Sequence, residues 1–366
     1  MPTNTAAWLL ARQAPLEVKP APYTHPREGE IVVKNHAVAI NPVDWGIQLL
    51  GTLLFSWMKY PFILGGDLAG EVVEVGEGVT RFSVGDRVLG MAMGMDKTRS
   101  RSAESAFQAY TVLLAHMAVP IPSTLSYEDA AVLPLALYTA AYGLFQKDHL
   151  ALQYPSAAPQ STGKTLLIWG GSTSVGSNAI QLAVAAGYEV ITTSSPRNFP
   201  YVRRLGASQV FDYQEKTVVA DIIEALKGKT IAGALAIGTG SADACSAIVH
   251  ACNGDKFVSL VSLGALPPNP GLNVQTLLLI FQFVAANVSF QVTSRMRRIR
   301  TKFISGMMDR EVSKVIYEDF LPRALAEGHY AAAPEPVVVG SGLDHIQAGL
   351  DAQRQGVSAK KVVVSL

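Results

Sequence analysis

The sequence predicts an α/β protein made of a doubly wound parallel sheet and a discontinuous, mostly-β second domain. Three observations carry this expectation. Lys164–Gly187 reads as a short apolar strand, a glycine-rich turn and a helix closed by glycine. Strand and helix signals then alternate as far as Leu260, the pattern of a parallel sheet with crossover helices. Residues 1–125 instead carry β-branched runs broken by Gly, Pro and Asp, and the chain closes on the strand-like Lys361–Ser365. A terminal strand normally joins an existing sheet, so the first domain is expected to be 1–125 with 300–366, around a central 126–299.

Bulk properties set limits. The 366 residues are 49% hydrophobic and 16% charged, enough for two domains with buried sheets. A net charge of +1 makes no electrostatic case for nucleic acid or acidic membranes. The two cysteines, Cys245 and Cys252, lie seven apart and read as small buried apolar residues. Met1–Leu10 lacks a basic stretch followed by an apolar core, so a secretory signal is not expected and the cytoplasm is the default location. The apolar run Leu272–Val288 contains Asn273, Gln275, Gln282 and Asn287, and reads as core or interface rather than a membrane span. A monomer and a homodimer are both compatible with it.

The elements follow in order. Thr5–Leu10 and Ile31–Asn41 are expected strands, separated by the proline- and charge-rich Pro15–Glu30. Asn41-Pro42 ends the second and places Asp44 at the start of a short helix, as a cap or a functional group. Gly65–Gly76 and Gly85–Val88 suggest two barrel strands; Met91–Arg101 suggests a polar surface loop; Ser105–Leu114 returns to a strand. Ser126 caps a helix with Asp129 three residues on, Pro134 breaks it, and Leu135–Phe145 forms the next. Tyr154–Gly163 connects to the glycine-turn strand. Late in the chain, Val315–Glu327 and Leu343–Gln355 read as helices, the second ended by Gly356.

The glycine turn points to a dinucleotide. Its pattern is Gly171-x-Thr173-x-x-Gly176, with threonine where a middle glycine is usual. Gly171 permits the turn, Gly176 lets helix and sheet approach, and helix-start N–H groups suit a pyrophosphate. Hydroxyls of Ser172, Thr173 and Ser174 are expected to add donors. The next strand ends in Ser194-Ser195-Pro196-Arg197-Asn198, without a carboxylate. Hydroxyls plus an arginine accept a 2′-phosphate that a carboxylate would repel, which favours NADPH over NADH. Tyr213 either stacks on adenine, donates to the phosphate or packs in the core.

The ordered set Asn41-Pro-x-Asp44, Gly65-Gly-Asp-x-Ala-Gly70, Gly76-x-Gly78-Val79, Gly85-Asp86-Arg87-Val88, the glycine turn, Leu205-Gly206-Ala207 and Phe211-Asp-Tyr213 resembles the medium-chain dehydrogenase/reductase superfamily. That resemblance implies a GroES-like catalytic domain split around a Rossmann domain. The chain departs from the zinc alcohol dehydrogenases of the superfamily. Those place a cysteine near the position of Val43, where this chain has none; where they carry Gly-His-Glu it has Gly65-Gly66-Asp67; Met91–Glu104 lacks their four cysteines. The seven histidines show no ligand spacing, so no metal is expected.

The zinc-free branch holds quinone oxidoreductases and enoyl reductases, and the segments around Gly170, Ser194–Phe199 and Phe211–Tyr213 look most like trans-acting polyketide enoyl reductases. That likeness implies NADPH contacts at Val43, Asp44, Trp45 and Gly46, at Ser172–Val175, at Ser195–Asn198, and at Tyr213, Leu260, Val261, Ser358 and Ala359. It also implies a substrate pocket along Leu135–Tyr142, with Leu135, Tyr138, Thr139 and Tyr142 facing it. The implied reaction is metal-free hydride transfer to an activated C=C of a small molecule, free or carrier-bound. Tyr60 is the implied proton donor; the alternatives are that Tyr60-Pro61 is a packing turn and that solvent or substrate-bound water gives the proton. A quinone oxidoreductase shares the cofactor site, and a non-catalytic NADPH-binding partner protein is the alternative from another class. Arg295, Arg297, Arg298, Arg300 and Lys302 form either a carrier-docking cluster or a solvated face.

Overall fold

A computed structural model describes residues 2–53, 55–262 and 288–366 of the chain. They divide into two compact units, 1–138 with 309–366, and 139–308.

The first unit is mostly β. Its strands are β1 (Asn4–Leu9), β2 (Leu16–Ala21), β3 (Glu30–Ala39), β4 (Phe62–Ile63), β5 (Asp67–Val75), β6 (Arg87–Met91), β7 (Tyr110–Leu114) and β8 (Ala118–Pro120). Helix α1 (Pro42–Leu50) follows β3; α2 (Tyr127–Ala131) follows β8, and α3 (Pro134–Phe145) starts in this unit and continues into the second. β1 pairs antiparallel with β2 and β4. The larger sheet runs β16-β17-β3-β5-β6-β8, with β7 also on β3, where β16 is Glu335–Ser341 and β17 is Lys360–Ser365. β17 lies antiparallel to β3, so the last strand of the chain completes the sheet begun near its start. Ile31, Val33, Val38, Leu68, Val88, Val362 and Val364 fill the core. Helical residues Arg310–Ser313 and Leu321–Ala326 flank a π-helical stretch, Lys314–Phe320, whose Tyr317 is wholly buried.

The second unit is a parallel sheet. Its strands are β9 (Lys164–Trp169), β10 (Glu189–Ser194), β11 (Gln209–Asp212), β12 (Thr230–Ala236), β13 (Asn253–Gly254), β14 (Phe257–Leu260) and β15 (Arg300–Phe303). The order is β11-β10-β9-β12-β14-β15, with β13 beside β12. Helices α4 (Ser174–Ala185), α5 (Phe199–Arg204), α6 (Val218–Ala225) and α7 (Ser241–Ala251) provide crossovers. Leu167, Ile191, Ala234 and Val258 make the sheet's contribution to its core, joined by Ile222, Ile248 and the buried Cys245 and Cys252. Strand order reverses between β9 and β12, the position where open α/β sheets bind ligands at the strands' carboxyl ends.

Three expectations need adjustment. The division falls at 138/139 and 308/309, not at 125/126 and 299/300. Helix α2 packs on β3 and β5, Ser365 donates to Glu128, and the Leu135 amide donates to Asp67, which hold 126–138 to the first unit. β15 pairs with β14, which holds 300–308 to the second. The loop after β6 is not polar surface throughout: Met91–Gly94 are buried, and the Ala92 amide donates to Gly66. Residues 272–287 of the apolar run lie outside the described residues, and no described helix is long and apolar enough to cross a membrane. In the basic cluster, Arg300 pairs with Asp255 and Lys302 with Asp148, so two of the five cations are neutralised.

A buried ion clamp explains how the long loop is held. Glu30 and Glu104 are only 3% and 2% exposed. Arg99 reaches Glu104 at 2.6 Å and Glu30 at 2.8 Å, and Arg101 bridges the same two carboxylates. Burial, the largest single influence on Glu30, raises its carboxyl, but the Arg27 backbone amide and then the Arg101 and Arg99 guanidinium groups hold it below the usual carboxylate range. Removing one partner of such a set leaves charge uncompensated. Glu104→Gln is expected to lower stability by about 3 kcal/mol, read as a shift in the urea midpoint with an unchanged slope.

Candidate functional site: a buried carboxylate hub and a phosphate-binding turn

In the first unit, Asn41, Asp44, Asp67 and Lys361 meet in the interior, each at most 4% exposed. Asp67 opens β5. One of its oxygens accepts from the Leu135 amide at 2.6 Å, and the other from Asn41 Nδ2 at 2.8 Å and Lys361 Nζ at 2.8 Å. Lys361 also donates to Asn41 Oδ1. The hub therefore ties together the start of α1, the start of α3, β5 and β17. These elements carry two implied ligand segments, Val43–Gly46 and Leu135–Tyr142. Neither Asn41 nor Lys361 was among the expected site residues; the available signal was a lysine opening the apolar strand Lys361–Ser365.

Asp44 is wholly buried. Its Oδ2 accepts the Asn41 amide at 2.7 Å, while Oδ1 has no partner among the described residues. Burial pushes its carboxyl up to about 7; the Asp67 charge adds to this, and the Asn41 amide and Lys361 ammonium oppose it. Asp44 is therefore a helix cap inside the unit and presents no surface to a cofactor. Of its neighbours, Val43 and Trp45 are partly exposed, and Trp45 Nε1 donates to Gln353. Gly46 is flanked by open space, since a Cβ there would meet nothing within 4 Å. Ala359 adopts a left-handed φ of 49° just before β17, next to the exposed Ser358.

Tyr60 is placed differently from a ready proton donor. Its hydroxyl is shielded and has no hydrogen-bond partner among the described residues. It lies where a Cβ on Gly51 would sit, 1.9 Å from that position, beside the Arg12 stem. Burial raises its pKa, against the nearby Thr52 backbone and Arg12 charge. Along α3, Leu135 and Thr139 share a partly exposed face, whereas Tyr138 and Tyr142 are 6% and 5% exposed. Tyr142 donates to the Ser305 carbonyl at 2.9 Å and meets the His149 ring edge-on. Both tyrosine side chains are thus largely enclosed by packing.

In the second unit the glycine turn has a defined geometry. Gly170 and Gly171 amides donate to Thr193 Oγ1 and O. Gly176 must be glycine: a Cβ would stand 2.2 Å from the Gly170 carbonyl. Thr173 is the N-cap of α4, accepting the Gly176 amide at 3.0 Å and donating to the Gly170 carbonyl at 2.8 Å. Its hydroxyl proton is consumed inside the turn, which corrects its expected part as a phosphate donor. The Ser174 and Val175 amides lack partners among the described residues and stand at the positive end of a 12-residue helix. Ser172, Ser174 and Val175 are partly exposed beside them.

The strand end next to this turn is also open. Ser194 is buried and donates to the Ser195 carbonyl at 3.1 Å; Asn198 is buried too. Ser195 is partly exposed, Pro196 and Arg197 are exposed, and Arg197 forms no ion pair among the described residues. Asp212, opposite Ser194 in the ladder, accepts the Gln214 amide at 3.0 Å within its own turn. Tyr213 is 44% exposed, so it does not pack in the core. Leu260 ends β14 at 7% exposed, with Val261 partly exposed after it.

Comparison with known proteins agrees with this arrangement. The alcohol dehydrogenase GroES-like domain matches residues 27–123, and the zinc-binding dehydrogenase domain matches 174–308. Dehydrogenase pigH of Monascus ruber is 54% identical over the whole of both chains. Trans-enoyl reductase himH of Aspergillus japonicus is 39% identical, covering 99% of this chain and 97% of its own. The CurK enoyl reductase crystal structure shares the fold, with a TM-score of 0.71 at 20% identity over 99% of both chains. The chain belongs to the medium-chain dehydrogenase/reductase superfamily, in its enoyl reductase and quinone oxidoreductase-like branch. It is an oxidoreductase of that group, built for a nicotinamide cofactor.

The Asp44 carboxyl makes a signed prediction. Folded, it keeps its proton to about pH 7; unfolded, it releases it near 3.8. The native state then binds more protons between these values, so this group's stabilisation falls as pH rises through that window. Asp44→Asn is expected to flatten the wild-type decline, measured as the difference between the two urea-unfolding curves across pH.

Proposed function

We propose that this chain is an NADPH-dependent, metal-free reductase that adds hydride to the β-carbon of an α,β-unsaturated carbonyl. The observation that carries this reading is the end of β10. It offers the Ser195 hydroxyl and the unpaired Arg197 guanidinium, has no carboxylate of its own, and lies beside the free Ser174 and Val175 amides. A 2′-phosphate suits the first pair and a pyrophosphate the second. Tyr213 supplies an exposed ring on which adenine can stack. The name of the 39%-identical relative, a trans-enoyl reductase, supports the same substrate class.

Bound NADPH supplies the hydride. The chain's own residues bind and orient. The free Ser174 and Val175 amides hold the pyrophosphate, and Ser195 and Arg197 hold the 2′-phosphate. Negative charge develops on the carbonyl oxygen as the hydride arrives at the β-carbon. The α-carbon then takes a proton from water, because the Tyr60 hydroxyl is held against Gly51. No zinc enters this reading: Gly66 offers no ligand, Asp67 is spent on Lys361, Asn41 and Leu135, and no described residues form a metal-holding cluster. The substrate is a small activated alkene, free or carrier-bound.

Steady-state assays with a panel of enones and quinones test this. Enones are expected to drive loss of NADPH absorbance; turnover confined to quinones would sink the reading. Tight NADPH binding without any turnover would instead favour a non-catalytic partner protein. Arg197→Ala is expected to raise KM for NADPH by about 10-fold and leave KM for NADH unchanged.

A further inference from the structure

The turn Ser195–Asn198 joins β10 to α5, and both of its ends are tied to the glycine turn. On the β10 side, Thr193 accepts the Gly170 amide on Oγ1 at 3.0 Å and the Gly171 amide on its carbonyl at 2.9 Å. On the α5 side, the Tyr201 hydroxyl lies 2.8 Å from Ser177 Oγ. Tyr201 stands in the first turn of α5 and Ser177 in the first turn of α4. This second tie is made by side chains alone.

The hydroxyl protons can be assigned. Ser177 Oγ donates to the Thr173 carbonyl at 2.8 Å, with the Gly171 carbonyl at 3.3 Å. A serine has one hydroxyl proton, so in the pair with Tyr201 the tyrosine is the donor. Burial pushes the Tyr201 hydroxyl up to about 12, against the Ser177 bond and the Arg204 charge, so it holds this proton at neutral pH. Ser177 is wholly buried, which shields the bond from water. Thr173 and Ser177 bracket the free Ser174 and Val175 amides in the chain, so Tyr201 braces the stretch of α4 that carries them.

The same bond sets how α5 is turned. Val202, wholly buried, anchors the helix to the interior, but an apolar contact is not directional, whereas a hydrogen bond is. The Asn198 amide donates to the Ser195 carbonyl and the Phe199 amide to that of Pro196, which makes Pro196–Arg204 one continuous helical run. Arg197 lies four residues before Tyr201 in that run, so any roll of α5 carries Arg197 with it. Arg203 lies over the Phe199 ring at 5.7 Å and Arg204 ends the helix, so neither stands in for Arg197.

We propose, resting on the NADPH reading of the β10 end, that Tyr201 is a positioning residue that favours this cofactor: its bond to Ser177 holds Arg197 in a fixed place relative to the α4 amides. Tyr201 itself makes no contact with the cofactor in this role.

NADPH and NADH are titrated separately against the full chain and followed by cofactor fluorescence, with no substrate present. Tyr201→Phe keeps the ring and removes the donor. Its Kd for NADPH is expected to rise about 5-fold and its Kd for NADH to stay within about 2-fold. Ser177→Ala removes the acceptor instead and is expected to shift the two constants in the same way. In an Arg197→Ala background, Tyr201→Phe is expected to change the NADPH Kd by less than about 2-fold, because no guanidinium remains to be placed. Unchanged NADPH binding in Tyr201→Phe, with weakened binding in Arg197→Ala, overturns the positioning role and leaves the NADPH reading standing. Equal weakening for both cofactors, or a full loss that persists in Arg197→Ala, makes the bond merely structural and also overturns it. Arg197→Ala binding NADPH like the parent removes the NADPH reading and this role together.

Discussion

The Asp67 carboxylate is the constraint on which the first unit depends. It is fully buried, and burying a carboxylate is costly unless its charge is matched and its oxygens are bonded. Lys361 supplies the charge; Asn41 and the Leu135 amide supply further bonds. These four groups come from positions far apart in the chain, so the requirement to satisfy one carboxylate holds together the start of α1, the start of α3 and β17. That is why a strand at the extreme end of the chain belongs to a sheet begun at Glu30. The same requirement leaves Asp44 as the poorly served member, with one oxygen unpartnered beside an existing negative charge. Its proton is the cheaper solution.

A second buried charge set does a parallel task at the loop after β6. In the zinc dehydrogenases that this chain resembles, that region carries four cysteines; here Arg99 and Arg101 clamp onto Glu30 and Glu104. Both devices pin irregular segments through charge rather than apolar packing. Charge–charge contacts are directional and costly to break singly, so they hold loops in one conformation where a hydrophobic contact would allow sliding.

The turn after β9 shows how much a local pattern can carry. Its threonine occupies the place of a glycine, yet the turn survives because the hydroxyl caps α4 and closes back on Gly170. The Ser174 and Val175 amides are then left without partners among the described residues. Gly176 is irreplaceable for a different reason: the Gly170 carbonyl occupies the space of any side chain. Each of these consequences is set within seven residues and needs no distant partner.

That locality separates what was legible in the sequence from what was not. Strand β9, the glycine turn, α4 and the alternation to β14 could be read directly, because periodicity, glycine and capping residues act within a few positions. The carboxylate-free end of β10 was legible for the same reason. Tyr213 was undecided until its exposure removed the core alternative. The positions that went differently all depend on tertiary neighbours: Asp44 turned inward by its hub, Tyr60 sealed against Gly51, Tyr138 and Tyr142 rotated into the core, and 126–138 drawn to the first unit by Asp67. By itself the sequence determined the two sheets, their order along the chain and the glycine-rich turn between β9 and α4. Only the tertiary structure decided which polar side chains remain free to meet a ligand, because that depends on which of them are already consumed by partners hundreds of residues away.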